Sequence, residues 1–599
     1  MVTESGKRGT ASRLRRRLRS SSGFLREFIH LAGPFWSTED RCRAWALTAA
    51  LVVLTLGQVA VPITINLWSA SLFDALEQKA MDRFLTLVAL MFAIILGNMV
   101  ITTTHLWIKR LLQLRWRRWL THRLVNGWMQ GGRHFQIGYI AGEHDNPDGR
   151  IAEDARITTE AAVDLAHSLF YCLLLLISFT QILWTLSGKL SVEVAGTALD
   201  VPGHLVWLAL LYAGAGTTVA LLLGRPLVRA VDRRQAQEAD FRFGLAHARE
   251  NSEAIALVHG EPNEQRRLVD LFRGVEAAWN LQTMKLANIF LFTSAYSVLS
   301  VAFPVLVAAP RYMAGAITLG VLMQTAQAFQ QMTSALSWPI DNLARGAEWR
   351  ASVERVLGLR HAVEQVSEPC VGCDRQIMIE PAEQAVLSFR DLTITNPDGA
   401  EVIRDFSADF HPGERVLISG DPGAAVRLFK VAAGLWPWGV GRVALPCQAT
   451  IFFVPQRPYL PVGTLRAALC YPASNCDDAL LLAALRRVGL AHLAARLDET
   501  ASWEQVLAPG EQQRLGFARL LLHRADWIFI EQATDALDPA GEADMMRLLQ
   551  DELPGAAVLT IGYHAALDAF HQRKLVLARP PDGKRTTEIP VRKAATTPA

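Results

Sequence analysis

The chain has 599 residues, of which 51% are hydrophobic and 20% charged. That length allows about two to four domains, and that balance is too apolar for an ordinary soluble protein of this size. The net charge of +3 is small, and the basic residues do not form a groove with interleaved aromatics, so no nucleic-acid partner is expected.

The first segment, 1–30, reads as a basic tail. Lys7, Arg8, Arg13, Arg15, Arg16, Arg17 and Arg19 precede the first apolar run, a charge placement that marks a cytoplasmic N-terminus. A signal peptide is not expected, because the tail is long and the apolar run exceeds an h-region.

Residues 31–350 read as a membrane domain. A bilayer-spanning helix needs about 20 mostly apolar residues. Runs that meet this need fall at 45–68, 84–108, 165–186, 205–224, 289–309 and 317–338, six in all, with several of the 16 tryptophans near run ends. The segment after the second run, KRLLQLRWRRWLTHR (109–123), is strongly basic, and Arg225, Arg229, Arg233 and Arg234 follow the fourth. The loops after runs one, three and five carry few basic residues, so the basic loops and both termini are expected inside. Two long, polar, helix-compatible extensions follow runs two and four, and they read as rigid arms continuing the membrane helices. His105, Asp164 and His167 lie at or near span boundaries. Ionisable residues at membrane depth are costly and often functional, although an interfacial position also accounts for them.

Residues 351–385 read as a linker. Of seven cysteines, only Cys370 and Cys373 form a CxxC pair; with no second pair, no metal site is expected. The odd count suits a reducing cytoplasm.

From 386 to 580 short β-rich runs alternate with helical stretches: VLSFRDLTIT, RVLISG, ATIFFVP, DWIFI and GAAVLTIGY. Such alternation predicts an α/β domain with a largely parallel sheet. Residues 581–599 read as a flexible tail. No GxSxG or HExxH motif suggests a hydrolase.

Within the α/β domain, GDPGAAVRL (420–428) sits between a strand and a helix. LWPWGVGRV (435–443), VPQRPYLPVGTLRAAL (454–469), LAPGEQQRLGFARLLLHRADWIFIEQATDALD (507–538) and TIGYH (560–564) follow. In this order they resemble the motifs of an ABC half-transporter, a six-helix exporter-type membrane domain fused to an ATP-binding cassette. More narrowly, LQLRWRRWLTHRLVNGWM (112–129), GEHDNPDGRIAEDARI (142–157), FTQILWTLSG (179–188), EADFRFGLAHARENSEAIALVHGE (238–261) and GLWPWGVGRV (434–443) resemble the bacterial SbmA/BacA-like branch, related to peroxisomal fatty-acyl ABC half-transporters. The resemblance implies ATP and Mg²⁺ as cofactors and a homodimer or heterodimer with a second half-transporter. It also implies a peptide, cobalamin-like or acyl substrate and a place in the bacterial inner membrane.

By the same resemblance Gly420, Asp421, Pro422, Gly423, Ala424, Ala425, Val426, Arg427 and Leu428 form the phosphate loop, joined by Gln456. Ala508, Pro509, Gly510 and Glu511 form the signature, and Ala536, Leu537 and Asp538 the loop after the Walker B strand. A phosphate loop uses glycines so that its N–H groups can wrap phosphates, a lysine for the β/γ-phosphates and a hydroxyl for Mg²⁺. Here Ala425 replaces the last glycine, Val426 the lysine and Arg427 the hydroxyl. Arg427 is turned about 100° from the lysine position on a helix. Glu531 stands for the Mg²⁺-holding Asp and Gln532 for the general base, and an amide cannot take a proton from water. Ala508 lacks a hydroxyl and Pro509 an N–H donor. Tyr563 stands for the switch histidine, with His564 one residue off, on the other face of a strand.

The sequence therefore points to a transporter subunit with impaired ATP hydrolysis. Its alternatives are a proton-gradient-driven transporter with a vestigial cassette and a non-transporting regulator or scaffold.

Overall fold

The computed structural model describes residues 21–37, 41–140, 146–194, 197–367, 377–447, 449–577 and 587–590. The basic cluster at 7–19, the Cys370/Cys373 pair and most of the 581–599 tail lie outside the described residues. The chain divides into two units: Met1–Asn126 with Glu143–His361, and Gly127–Gly142 with Ala362–Ala599.

The first unit is helical apart from one hairpin. α1 (Ser21–Ala32) is amphipathic, and its Phe24 and Phe28 meet Trp349 edge-on at centroid distances of 5.6 and 5.0 Å. α2 (Arg41–Glu77), α3 (Met81–Met129) and α4 (Ala155–Ser187) follow. The antiparallel strands β1 (Lys189–Val194) and β2 (Thr197–Pro202) lead to α5 (His204–Glu250), the short α6 (Ser252–Leu257) and α7 (Glu261–Met313). α8 (Leu319–Leu336) and α9 (Leu343–Ser367) complete the helices, and α9 runs through the 350/351 boundary drawn from sequence.

Among the described residues, five helices (α2, α3, α4, α5 and α7) are long and apolar enough to cross a membrane. The sixth run forms α8, which has 18 residues and is not one of these five. The difference has a physical origin. α8 carries Gln324, Gln327, Gln330 and Gln331 and packs inside the unit, with Ala328 and Phe329 fully buried beside Phe179, Leu183 and Ala209. Its polar atoms find partners there. The Asn66 amide donates to the Gln324 carbonyl at 3.0 Å, and Asp74 and Glu77 accept from the N–H groups of Gly320 and Leu319, each at 3.0 Å. Gly320 faces the Ala70 carbonyl so closely that a Cβ would sit 2.2 Å from that oxygen. A helix so bound need not be as apolar as one facing lipid.

α3, α5 and α7 have 49, 47 and 53 residues. At about 1.5 Å per residue each is roughly 70–80 Å long, more than twice a hydrocarbon core of about 30 Å. Beyond the apolar stretch α5 and α7 stay paired: the Arg234 guanidinium lies 3.9 Å from the Trp279 ring centroid, and Phe241 meets Phe272.

The second unit is built on a six-stranded sheet ordered β12-β11-β6-β10-β9-β8: β6 (Arg415–Gly420), β8 (Ile451–Val454), β9 (Trp527–Glu531), β10 (Ala557–Ile561), β11 (Arg573–Leu577) and β12 (Thr587–Pro590). All neighbours are parallel except β11 and β12. The strands are apolar at nearly every position because successive side chains enter different cores. Val416, Ile418, Trp527, Phe529, Leu559 and Ile561 enter one core with α10 (Pro422–Ala432). Leu417, Ile528, Ile530 and Val558 enter the other, with α11 (Leu465–Cys470), α12 (Asp478–Arg487), α13 (Pro509–His523) and α14 (Pro539–Glu552). The first core is closed by a four-stranded sheet, β3 (Ile377–Ala382), β7 (Gly439–Pro446), β4 (Leu387–Thr395) and β5 (Glu401–Phe410).

Candidate functional site

The site lies at the carboxyl ends of the parallel strands, where an α/β sheet places its ligand. β6 ends at Gly420, which has φ +101°, and a Cβ there would lie 2.1 Å from the Leu577 carbonyl oxygen. Only glycine fits.

The next residues form a capped helix start. The sequence reading places a loop over 420–428; the structure draws helix from Pro422. Asp421 is the N-cap, its Oδ1 accepting from the Ala424 N–H at 2.8 Å, while its carbonyl accepts from the Ala425 N–H at 3.1 Å. Asp and Pro are favoured at N-cap and N1, so this turn follows from its own residues. Two N–H groups that a phosphate nest would turn towards its ligand are bonded within the turn, and Pro422 has none. Ala424 and Ala425 are fully buried. Val426 packs against the first core. Arg427 folds back, donating Nη1 to the Gly423 carbonyl at 2.9 Å with its guanidinium 5.2 Å from the Trp436 ring centroid. Leu428 is core. Lys430 lies over the Phe135 ring at 5.1 Å.

At the end of β9, burial pushes the Glu531 carboxyl up, with Lys430 opposing that shift. Gln532 has φ +51° and donates its N–H to the Ile561 carbonyl at 3.0 Å. Beside them the Gln456 amide reaches Asp535 at 3.5 Å. Burial raises the Tyr563 hydroxyl, and the charges of Asp421 and Asp535 add to it, so this side chain shares the space of the helix cap. The strand ends at Ile561, so His564 is not on the opposite face of a strand as expected: it too lies near Asp535, with its Nδ1 3.2 Å from Glu542, which accepts from the Thr534 hydroxyl at 2.7 Å.

The signature residues start α13. Ala508 is its N-cap and has no side-chain acceptor; its N–H donates to Glu511 Oε2 at 2.9 Å. Pro509 is the first helical residue. Gly510 faces the Ala536 carbonyl, 3.1 Å from where a Cβ would stand. Leu537 donates to the Thr534 carbonyl at 3.0 Å, and Asp538 caps α14 by accepting from Gly541 at 3.1 Å.

One residue that sequence reasoning passed over joins these parts. Gln513, 4% exposed, donates to the carbonyls of Gln456 at 3.2 Å and Gln532 at 3.5 Å, and accepts from the Ala536 N–H at 2.9 Å. The hint in the sequence is a glutamine on the inner face of the helix that opens with Pro509 and Gly510.

A doubly flanked parallel sheet whose strand ends carry these motifs, on a chain with several membrane-length helices, defines the fused permease and cassette of an ABC half-transporter. The comparisons agree. Residues 36–313 match the ABC transporter transmembrane region 2. An inner membrane ABC transporter ATP-binding protein, YddA, of Escherichia coli (strain K12) is 30% identical over 545 residues, 90% of this chain and 94% of that protein. The chloroplastic ABC transporter D family member 2 of Arabidopsis thaliana is 28% identical over 94% of this chain and 88% of that protein. The lysosomal cobalamin transporter ABCD4 of Homo sapiens is 25% identical over 92% of this chain and 95% of that protein. The chain belongs to the ABC transporter family, as a multi-pass membrane protein whose family moves solutes across membranes. Family members generally bind ATP with Mg²⁺ and work as dimers.

Proposed function

We propose that this chain is one half of a dimeric ABC transporter of the bacterial inner membrane, with both termini in the cytoplasm and an impaired ATP site of its own. A peptide, a cobalamin-like compound or an acyl compound is the substrate class that the resemblance supports. The observation that carries the impairment is the start of α10 at Pro422, capped by the Asp421 carboxylate. A phosphate at that place would meet a fixed negative charge and N–H groups already bonded. With Val426 for the lysine, Arg427 turned back and Gln532 for the base, neither charge neutralisation nor proton abstraction is provided for.

The test is ATP binding and hydrolysis by the reconstituted protein beside a repaired variant, Ala425→Gly, Val426→Lys, Arg427→Ser, Glu531→Asp and Gln532→Glu. Loss of a general base alone lowers rates by about 10²–10⁴-fold. The expected result is turnover in the native chain at least about a hundredfold below the repaired one. Equal, Mg²⁺-dependent turnover in both would refute the impairment and leave an ordinary ATP-driven cycle.

A further inference from the structure

His105 on α3 and His167 on α4 lie far apart in sequence, yet their rings stand 4.3 Å apart, centroid to centroid. His105 is 4% exposed and His167 half-buried, and the Nε2 atoms of both lack a hydrogen-bond partner. Two adjacent, tilted imidazoles, each with a buried nitrogen that no protein group bonds, form a polar site, and a buried donor or acceptor is costly unless it is paired.

The surroundings say what fits. On α3, one turn beyond His105, Lys109 lies 3.1 Å from Asp164 of α4. Asp164 also accepts from Gln113 of α3 at 3.0 Å and from Arg345 of α9. Tyr171 of α4 lies 6.4 Å from the His167 ring. From the turn after α8, the Trp338 indole donates to Ser168 at 3.0 Å, and Asp341 stands near Cys172. Glu160, whose carbonyl accepts from Gln113, is within reach of Arg117 and Arg156. Asp164 is thus engaged by two cations, a divalent metal at the two rings would face Lys109, and among the described residues no third His, Cys, Asp or Glu groups with the rings to hold one. A proton carries one charge, needs one lone pair, and can sit on one ring while the other accepts from it.

We propose that His105 and His167 form a single-proton site at the end of the α3–α4 contact, where the imidazolium competes with Lys109 for Asp164. One proton from water adds to an imidazole nitrogen, and no bond within the protein breaks. The Lys109–Asp164 pair joins α3 to α4, so the occupancy of the site is coupled to the packing of two membrane helices. The inference goes beyond the transport reading, since proton binding is measured without substrate, nucleotide or transport, and the two stand or fail separately.

The experiment is histidine C2-hydrogen exchange read by mass spectrometry on the full chain in lipid nanodiscs from pH 3 to 9. It reports the titration of each histidine by its own peptide. The expected result is that both rings titrate as a pair, and that His105→Gln changes the His167 curve and His167→Gln the His105 curve. Lys109→Gln and Asp164→Asn should move both midpoints in opposite directions, while exposed His492 keeps its curve throughout. The native chain alone decides the first point, so a variant that fails to fold does not shield the proposal. Flat profiles for both rings would overturn it. So would curves indifferent to the partner's removal, or protection of both rings by micromolar Zn²⁺.

Discussion

At the scale of the residue, the second unit carries a titrating group with a calculable effect. His571 is buried between the Thr560 hydroxyl, 2.9 Å from its Nε2, and the Leu567 carbonyl, 2.7 Å from its Nδ1. Burial holds its pKa down at about 4, against an ordinary value of 6.5. The folded form keeps this ring neutral where the unfolded chain would protonate it. Its contribution to stability is therefore complete above pH 6.5 and falls as pH drops towards 4, by on the order of 3 kcal/mol over the window. The calorimetric midpoint of the cassette transition should fall accordingly between pH 7 and 4.5. His571→Gln, which keeps a donor and an acceptor, should lose that part of the slope. An unchanged slope would mean that the ring titrates alike in both states.

At the scale of the element, helix starts decide the character of the candidate site. α10, α13 and α14 each place a proline in their first turn, at Pro422, Pro509 and Pro539. Two of the three have an aspartate cap, Asp421 and Asp538. Replacing such a cap by alanine typically costs about 1 kcal/mol, and by asparagine little. Asp421→Ala should lower the cassette's unfolding midpoint in denaturant, and Asp421→Asn should leave it nearly unchanged. Equal losses would mean that charge, not the hydrogen bond, holds the turn.

The order of motifs made the α/β cassette readable, and strand alternation into two cores follows from runs such as RVLISG and DWIFI. The Asp421–Pro422 pair is itself a helix-start signal, but motif order drew attention to a loop at the same place. The structure starts a helix at Pro422, with Asp421 as its cap. The partners of Gln513 and the His105–His167 contact could not be read, since each depends on residues brought together only by tertiary packing. The sixth apolar run is a helix, α8, and its contacts with α2 through Asn66, Asp74 and Glu77 were likewise hidden in the sequence.

At the scale of the whole molecule, apolar side chains on the long helices remain widely exposed: Phe92 at 70%, Trp107 at 75%, Leu291 at 77% and Val298 at 73%. Patches of this kind need lipid or another chain. The proposed dimer predicts that the protein extracted in mild detergent, freed of detergent mass, runs at twice the chain mass by light scattering. A single-chain mass at micromolar concentration would count against self-pairing and favour a second, different half-transporter.

The Asp421 cap carries one more consequence. A protein that binds a ligand only when folded borrows stability from it, in proportion to the logarithm of its concentration. Under the impairment proposed above, this helix end is completed by the chain's own Asp421 side chain and draws no stability from a nucleotide. The cassette's shelf life in a starving cell would then be set by its own sequence, and not by how much ATP the cell has left.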